Sequence, residues 1–167
     1  MINDVTPIIS SLEDAIGDPR QGLPEEVFLF VSRIAPLINV DLLIQDDAGR
    51  TLLTWRDDES FGQGWHIPGG IIRYKQTNAE CIRNCALREL GAQVTFDAEP
   101  LLVSETIRAC RDRGHFISLL YCCRLTTLPD PALRWESQAR PGAWRWHQTC
   151  PPDLLAAQAQ YARFFAC

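Results

Sequence analysis

Gly69-Gly70-Ile71-Ile72-Arg73-Tyr74-Lys75-Gln76-Thr77-Asn78-Ala79-Glu80-Cys81-Ile82-Arg83-Asn84-Cys85-Ala86-Leu87-Arg88-Glu89-Leu90-Gly91-Ala92 is the most informative run in the chain. Its paired glycines follow Trp65-His66-Ile67-Pro68, a combination that marks a tight turn. Thr77-Asn78-Ala79-Glu80 has the form of a capping box, in which a hydroxyl and a carboxylate each satisfy a backbone N–H left free at a helix start. Gly91 suits the left-handed position that ends a helix. The run therefore predicts a glycine turn feeding a helix over Thr77–Leu90. At about 3.6 residues per turn, positions 85, 88 and 89 share one face. The residues present are Cys85, Arg88 and Glu89.

On the N-terminal side, residues 1–22 read as a lead-in with a short helix near Ser10–Ile16. Pro24 suits a first helical turn, and Val27, Phe28, Val31 and Ile34 recur at helical spacing up to Pro36. Leu37–Ile44 and Thr51–Arg56 read as strands joined by the turn Asp46–Arg50, which predicts a hairpin. Beyond Gly91, strands are expected at Gln93–Phe96, Leu101–Ile107, His115–Leu125 and Ala143–His147, with a final helix over Pro152–Phe165. Strands thus lie on both sides of one central helix. That order implies an α+β domain over 23–167 with a mixed sheet packed between helices, not regular βαβ winding.

The 167 residues suffice for one domain with a real core. With 46% hydrophobic and 22% charged residues, disorder is excluded. A net charge of −5 argues against nucleic acid as a partner. No run reaches the ~18 apolar residues that span a bilayer, and the acidic start (Asp4, Glu13, Asp14, Asp18) is unlike a secretory signal. The cysteine count is odd at seven: Cys81, Cys85, Cys110, Cys122, Cys123, Cys150 and Cys167. Reduced thiols in a cytoplasm are expected. Cys81 and Cys85 lie one helical turn apart, but no second ligand pair accompanies them for zinc.

The run from Gly70 to Ala92 resembles the signature of the Nudix superfamily of hydrolases. That signature reads Gly, five residues, Glu, seven residues, then Arg-Glu-apolar-x-Glu-Glu-x-Gly-apolar. Anchored on Gly70, the frame closes on Gly91 and Ala92, but Gln76, Asn84, Cys85 and Arg88 stand at motif positions and Glu89 alone remains of the acids. Reading Glu80 and Arg88-Glu89 as the Glu and Arg-Glu instead would put Tyr74 at the glycine and lose the terminal one. The resemblance implies a Nudix α/β/α sandwich. Within the superfamily, residues 23–146 look most like the branch that hydrolyses GDP-mannose, through Ser32-Arg33-Ile34-Ala35-Pro36-Leu37, Asp41, Arg56, the glycine turn and Glu89-Leu90-Gly91.

That resemblance implies a nucleotide-sugar substrate, with water attacking the sugar carbon and nucleoside diphosphate leaving. It implies one Mg2+ (or Mn2+) held by the Gly69 carbonyl, Glu89 and Gln138, with Asp41, Arg56 and Arg73 on the substrate side. The branch places a general-base histidine after the loop glutamine, where this chain has Ala139 or Pro141. Of the three histidines, His66, His115 and His147, the last is taken as the candidate base. The alternative is a protein of the same fold that binds a nucleotide or nucleotide sugar without cleaving it. A homodimer through the helix Pro24–Ile34 is also implied, since its run Val27-Phe28-Leu29-Phe30-Val31 offers more apolar surface than one face can bury.

Overall fold

The computed structural model describes residues Asp4–Phe165; Cys167, one of the expected thiols, lies outside them. Helix α1 spans Thr6–Ile16 and α2 spans Glu25–Ile34, with Pro24 as its N-cap. Strands follow as β1 (Leu37–Ile44), β2 (Thr51–Asp58), β3 (Gly62–His66) and β4 (Gly69–Ile71). The central helix α3 covers Asn78–Leu90. Strands β5 (Val94–Phe96), β6 (Leu102–Ile107), β7 (His115–Leu125) and β8 (Trp144–His147) complete the set. No helix among the described residues is long and apolar enough to cross a membrane.

The capping chemistry of α3 is realised in full. The Thr77 hydroxyl accepts from the Glu80 N–H at 3.2 Å, and Glu80 Oε2 accepts from the Thr77 N–H at 2.8 Å. Gly91 closes the helix at φ 61°, and its N–H returns to the Leu87 carbonyl. The buried stripe Cys81, Ile82, Cys85, Ala86 and Leu90 faces the core with Val40, Leu42 and Ile44 of β1. Each fully buried Leu or Ile there contributes roughly 1.5–3 kcal/mol relative to exposure.

The larger sheet is mixed. Strand β7 lies at its centre, parallel to β1 along Leu37–Ile44 and antiparallel to β5 and β6 on its other edge. Strand β4 pairs with the free edge of β1. A smaller antiparallel sheet has the order β3-β2-β8.

The strands β1 and β2 stand where the sequence put them, but the hairpin between them does not form. They meet only in the bridge Gln45–Thr51 and belong to different sheets. The cause lies in the strands and in the turn between them. Residues 40–44 are buried without alternation, as suits a strand enclosed on both faces and flanked by partners on both edges. Asp46 also staples the turn, accepting from the N–H groups of Ala48 and Arg50 and from the Arg50 guanidinium. After this turn the chain enters the second sheet as β2. The expected last helix over 152–165 is also different, with Ala156–Phe164 running as 3-10 turns.

Candidate functional site

A cavity of about 370 Å3 opens where the glycine turn, β1, β2 and the last turn of α3 converge. The pairing of β1 with β4 sets Asp41 directly opposite Gly69. No side chain fits at Gly69, because a Cβ would lie 2.5 Å from both Asp41 Oδ1 and the Val40 carbonyl. At Gly70 a Cβ would lie 2.5 Å from Cys85 Sγ and 3.0 Å from Arg88 Nη2. The two glycines therefore let the turn close onto β1 on one side and α3 on the other.

Arg88 fills the space this creates. Its Nη2 lies 3.3 Å from the Gly69 carbonyl, 3.2 Å from Glu89 Oε1 and 3.5 Å from Cys85 Sγ. The Glu89 side chain is 17% exposed against 58% for Arg88. Burial raises the Glu89 carboxyl to about 6, although Arg88, Arg56 and the Gly69 N–H pull it down. Cys85 is a neutral thiol, pushed far above the ordinary range by its hydrogen bond with Cys81 and by burial.

Asp41 forms the opposite wall. The Tyr161 hydroxyl donates to its Oδ2 at 2.6 Å. Burial again raises the carboxyl to about 6, against the hydrogen bonds of Tyr161, Asn39 and Ser118 and the charge of Arg56. Arg56 pairs with Asp58 at 3.4 Å and stacks 5.0 Å from the Phe61 ring. Arg113 stacks on the same ring at 5.3 Å and Arg108 at 4.2 Å. Arg113 Nε and Arg108 Nη1 are buried with no hydrogen-bond partner among the described residues. Arg113 also lines the cavity, as do Arg56 and Arg88. The three guanidinium groups that line the cavity, Arg56, Arg88 and Arg113, give it a positive wall suited to an anion such as phosphate.

Of the residues expected from sequence, Asp41, Arg56, Gly69 and Glu89 line this cavity; Arg73, Gln138 and His147 do not. Arg73 is exposed, and its N–H donates to Gln76 Oε1 at 3.0 Å. Gln138 lies in the exposed loop after residues 131–133. His147 sits in β8 edge-on to Trp65 at 4.5 Å, and burial lowers it to about 4. His66 does line the cavity, but both ring nitrogens are engaged. Nδ1 lies 2.9 Å from the Ile67 carbonyl and so must carry the proton, which leaves Nε2 to accept from Thr54 Oγ1 at 2.9 Å. Burial lowers His66 to about 3. Neither histidine is a free base facing this cavity. Arg113, Phe61 and Tyr161 had no sequence signal, since each reaches the site from a segment that only the fold brings near.

Nudix hydrolases generally use divalent metals such as Mg2+. The donor set here does not fit one. Two oxygen donors of the expected set, Gly69 O and Glu89, are already bridged by a guanidinium. Cys85 offers a neutral thiol, a poor ligand for a hard cation. Among the described residues there is no group of three or more His, Cys, Asp or Glu placed to hold a metal ion.

The model of the NUDIX domain matches residues 35–165. A curated relative, the low-salt glycan biosynthesis protein Agl8 of Haloferax volcanii, is 30% identical over 80 residues, which cover 48% of this chain and 51% of the relative. The match thus spans about half the length of that relative. Among solved structures, a MutT NUDIX hydrolase from Burkholderia pseudomallei superposes with a TM-score of 0.63 at 21% identity, covering 79% of this chain and 99% of that one. A possible asymmetric diadenosine tetraphosphate hydrolase from Jonesia denitrificans gives 0.62 at 20% identity, covering 78% and 92%. These likenesses share the mixed-sheet α+β fold, and with the domain match over most of the chain they give the conclusion: this chain belongs to the NUDIX domain family.

Proposed function

We propose that the cavity takes a nucleotide sugar of the GDP-mannose kind and hydrolyses it at the sugar carbon. The observation that carries this reading is the pairing within one cavity of a guanidinium cluster with two carboxylates raised to about 6. The volume of about 370 Å3 lies in the range of small-ligand sites. Arg56 and Arg113 would grip the diphosphate, as their planar N–H forks suit phosphate oxygens. Glu89, mostly ionised at neutral pH yet basic for a carboxylate, would take the proton of the attacking water. As the water oxygen bonds to the sugar carbon, the bond from that carbon to the phosphate oxygen breaks. The electron pair leaves with the diphosphate, whose charge the arginines offset. The glycan-biosynthesis name of the Haloferax relative supports an activated sugar as the substrate class.

The expected Mg2+ or Mn2+ on Gly69, Glu89 and Gln138 is not part of this reading, because Arg88 bridges the first two and Gln138 lies apart. The base role passes from His147 to Glu89, and the substrate contact of Arg73 to Arg113. A second reading, binding without cleavage, is favoured by one contact: Arg88 holds the Glu89 oxygen that would receive the proton. Residues 23–167 are the proposed functional unit after the lead-in 1–22. Homodimerisation is proposed through α2, where Phe30 and Ile34 are 46% and 67% exposed. A cytoplasmic setting fits the free thiols Cys81, Cys85, Cys110, Cys122, Cys123 and Cys150.

The deciding assay follows sugar release from GDP-mannose, GDP-glucose and UDP-glucose by wild type and Glu89→Gln. Turnover that the substitution abolishes supports hydrolysis. Tight calorimetric binding without turnover selects the second reading. Neither turnover nor binding rejects the nucleotide-sugar proposal.

A further inference from the structure

We infer that Arg88 replaces the divalent cation of the fold, so that this site holds a diphosphate without any metal. The inference deepens the proposed function and rests on its diphosphate ligand, but not on the sugar. It begins with position. A single guanidinium nitrogen lies within 3.3 Å of the Gly69 carbonyl and 3.2 Å of Glu89 Oε1. A metal on those two oxygens would lie within contact of the guanidinium, and two cations at that separation repel.

The surroundings are built for the arginine. Gly70 gives it room, since a Cβ there would come within 3.0 Å of Nη2. Cys85, one turn earlier on α3, packs its neutral thiol 3.5 Å from the same nitrogen. Arg88 makes these contacts through Nη2, while its side chain remains 58% exposed and lines the cavity. Nη1 and Nε are thus left for a ligand. Their N–H groups lie on different edges of the guanidinium plane, so each can meet a separate oxygen of the diphosphate. Arg56 and Arg113, which also line the cavity, supply the rest of the positive charge.

Two measurements test this. The first is Mn2+ binding to ligand-free protein, read by the loss of the free Mn2+ resonance in electron paramagnetic spectra. Wild type should bind no Mn2+ at millimolar metal, while Arg88→Glu should bind it through Glu89 and the new carboxylate. The second is calorimetry with GDP, UDP, ADP and inorganic pyrophosphate, in EDTA and in excess Mg2+. Wild-type affinity for at least one of these probes should agree within about twofold between the two buffers, and Arg88→Gln should weaken it by about tenfold or more in EDTA. Circular dichroism melts of Arg88→Gln and Arg88→Glu confirm that each is folded; if neither folds, the wild-type arms decide alone. Mn2+ binding by wild type, an affinity that rises about tenfold with Mg2+, a folded Arg88→Gln that binds as wild type does, or no binding of any probe overturns the inference. If GDP and pyrophosphate bind without metal but GDP-mannose is neither bound nor cleaved, the sugar reading falls and the role of Arg88 stands.

Discussion

Asp41→Asn removes one buried charge and leaves the shape of the cavity nearly intact. Asp41 is 5% exposed, and burial raises its carboxyl from 3.8 to about 6 despite hydrogen bonds that favour the ion. The folded chain therefore takes up this proton at a higher pH than the unfolded chain. Below about pH 4 the group is neutral in both states and its contribution is fully present. Stability falls as the pH rises from about 4 to about 6, and is flat again above that. Each factor of ten in the proton equilibrium is worth about 1.4 kcal/mol, so the fall is about 3 kcal/mol. Asparagine carries no charge, and its amide oxygen still accepts from the Tyr161 hydroxyl. The substituted protein should lack this fall and exceed wild type at pH 8 by up to about 3 kcal/mol.

Denaturant unfolding of both proteins with thiols kept reduced, at half-unit steps from pH 4 to pH 8, measures the difference. Glu89 shifts in the same direction, but it is present in both proteins and largely cancels. The expected signature is a difference near zero at the acid end that opens with a midpoint between about pH 4 and pH 6. Parallel profiles, or a variant less stable at pH 8, would show that the ring of hydrogen bonds fully compensates the charge and that burial does not set the behaviour of Asp41.

Thr77→Ala breaks the capping box of α3 and should cost about 1 kcal/mol in unfolding free energy, with any cavity ligand bound as before once the protein is folded. Gly69→Ala drives a methyl group into the Val40 carbonyl and Asp41. It should lower stability by about 1–3 kcal/mol, seen as a drop in the melting temperature. Sedimentation velocity at micromolar concentration should give a dimer that Phe30→Glu dissociates; a wild-type monomer removes the proposed role of α2 as an interface.

Local signals were legible and long-range pairing was not. The ends of α3 could be placed because Thr77, Glu80 and Gly91 act on neighbours in sequence. Strand β7 was legible over His115–Leu125 because its run of apolar and aromatic residues is local. The partners of β1 were not legible, because apolar periodicity marks a strand without saying which edge it joins, and a short turn invites the nearest candidate. The site divides in the same way. Asp41, Arg56, Gly69 and Glu89 line the cavity from regular elements; Gly69 and Glu89 belong to one motif with fixed spacing, and Asp41 and Arg56 follow from the family resemblance. Tyr161 meets Asp41 across 120 positions. Arg113 enters through a left-handed residue at φ 54° in the loop before β7, its N–H anchored on Ser32 of α2. No pattern in the sequence links those segments. Gln138 lies apart from the cavity, in a loop that carries no local register and cannot be aligned by counting.

The contact between Arg88 and Glu89 bears on how the other departures from the Nudix frame fit together. A cluster of carboxylates beside a diphosphate is tolerable only when metal ions separate like charges. Replace the metal with one guanidinium and the local charge falls from two to one, so further acids would repel the ligand. Cys85 is a buried neutral thiol and Arg88 is the cation itself, while Gln76 accepts from the Arg73 N–H away from the cavity. Burial raises the two acids that line the cavity, Asp41 and Glu89, to about 6. On the inference drawn for Arg88, the arginine and the neutral thiol of Cys85 that packs against it are one change, because an acid at either position would restore the pull on a metal ion.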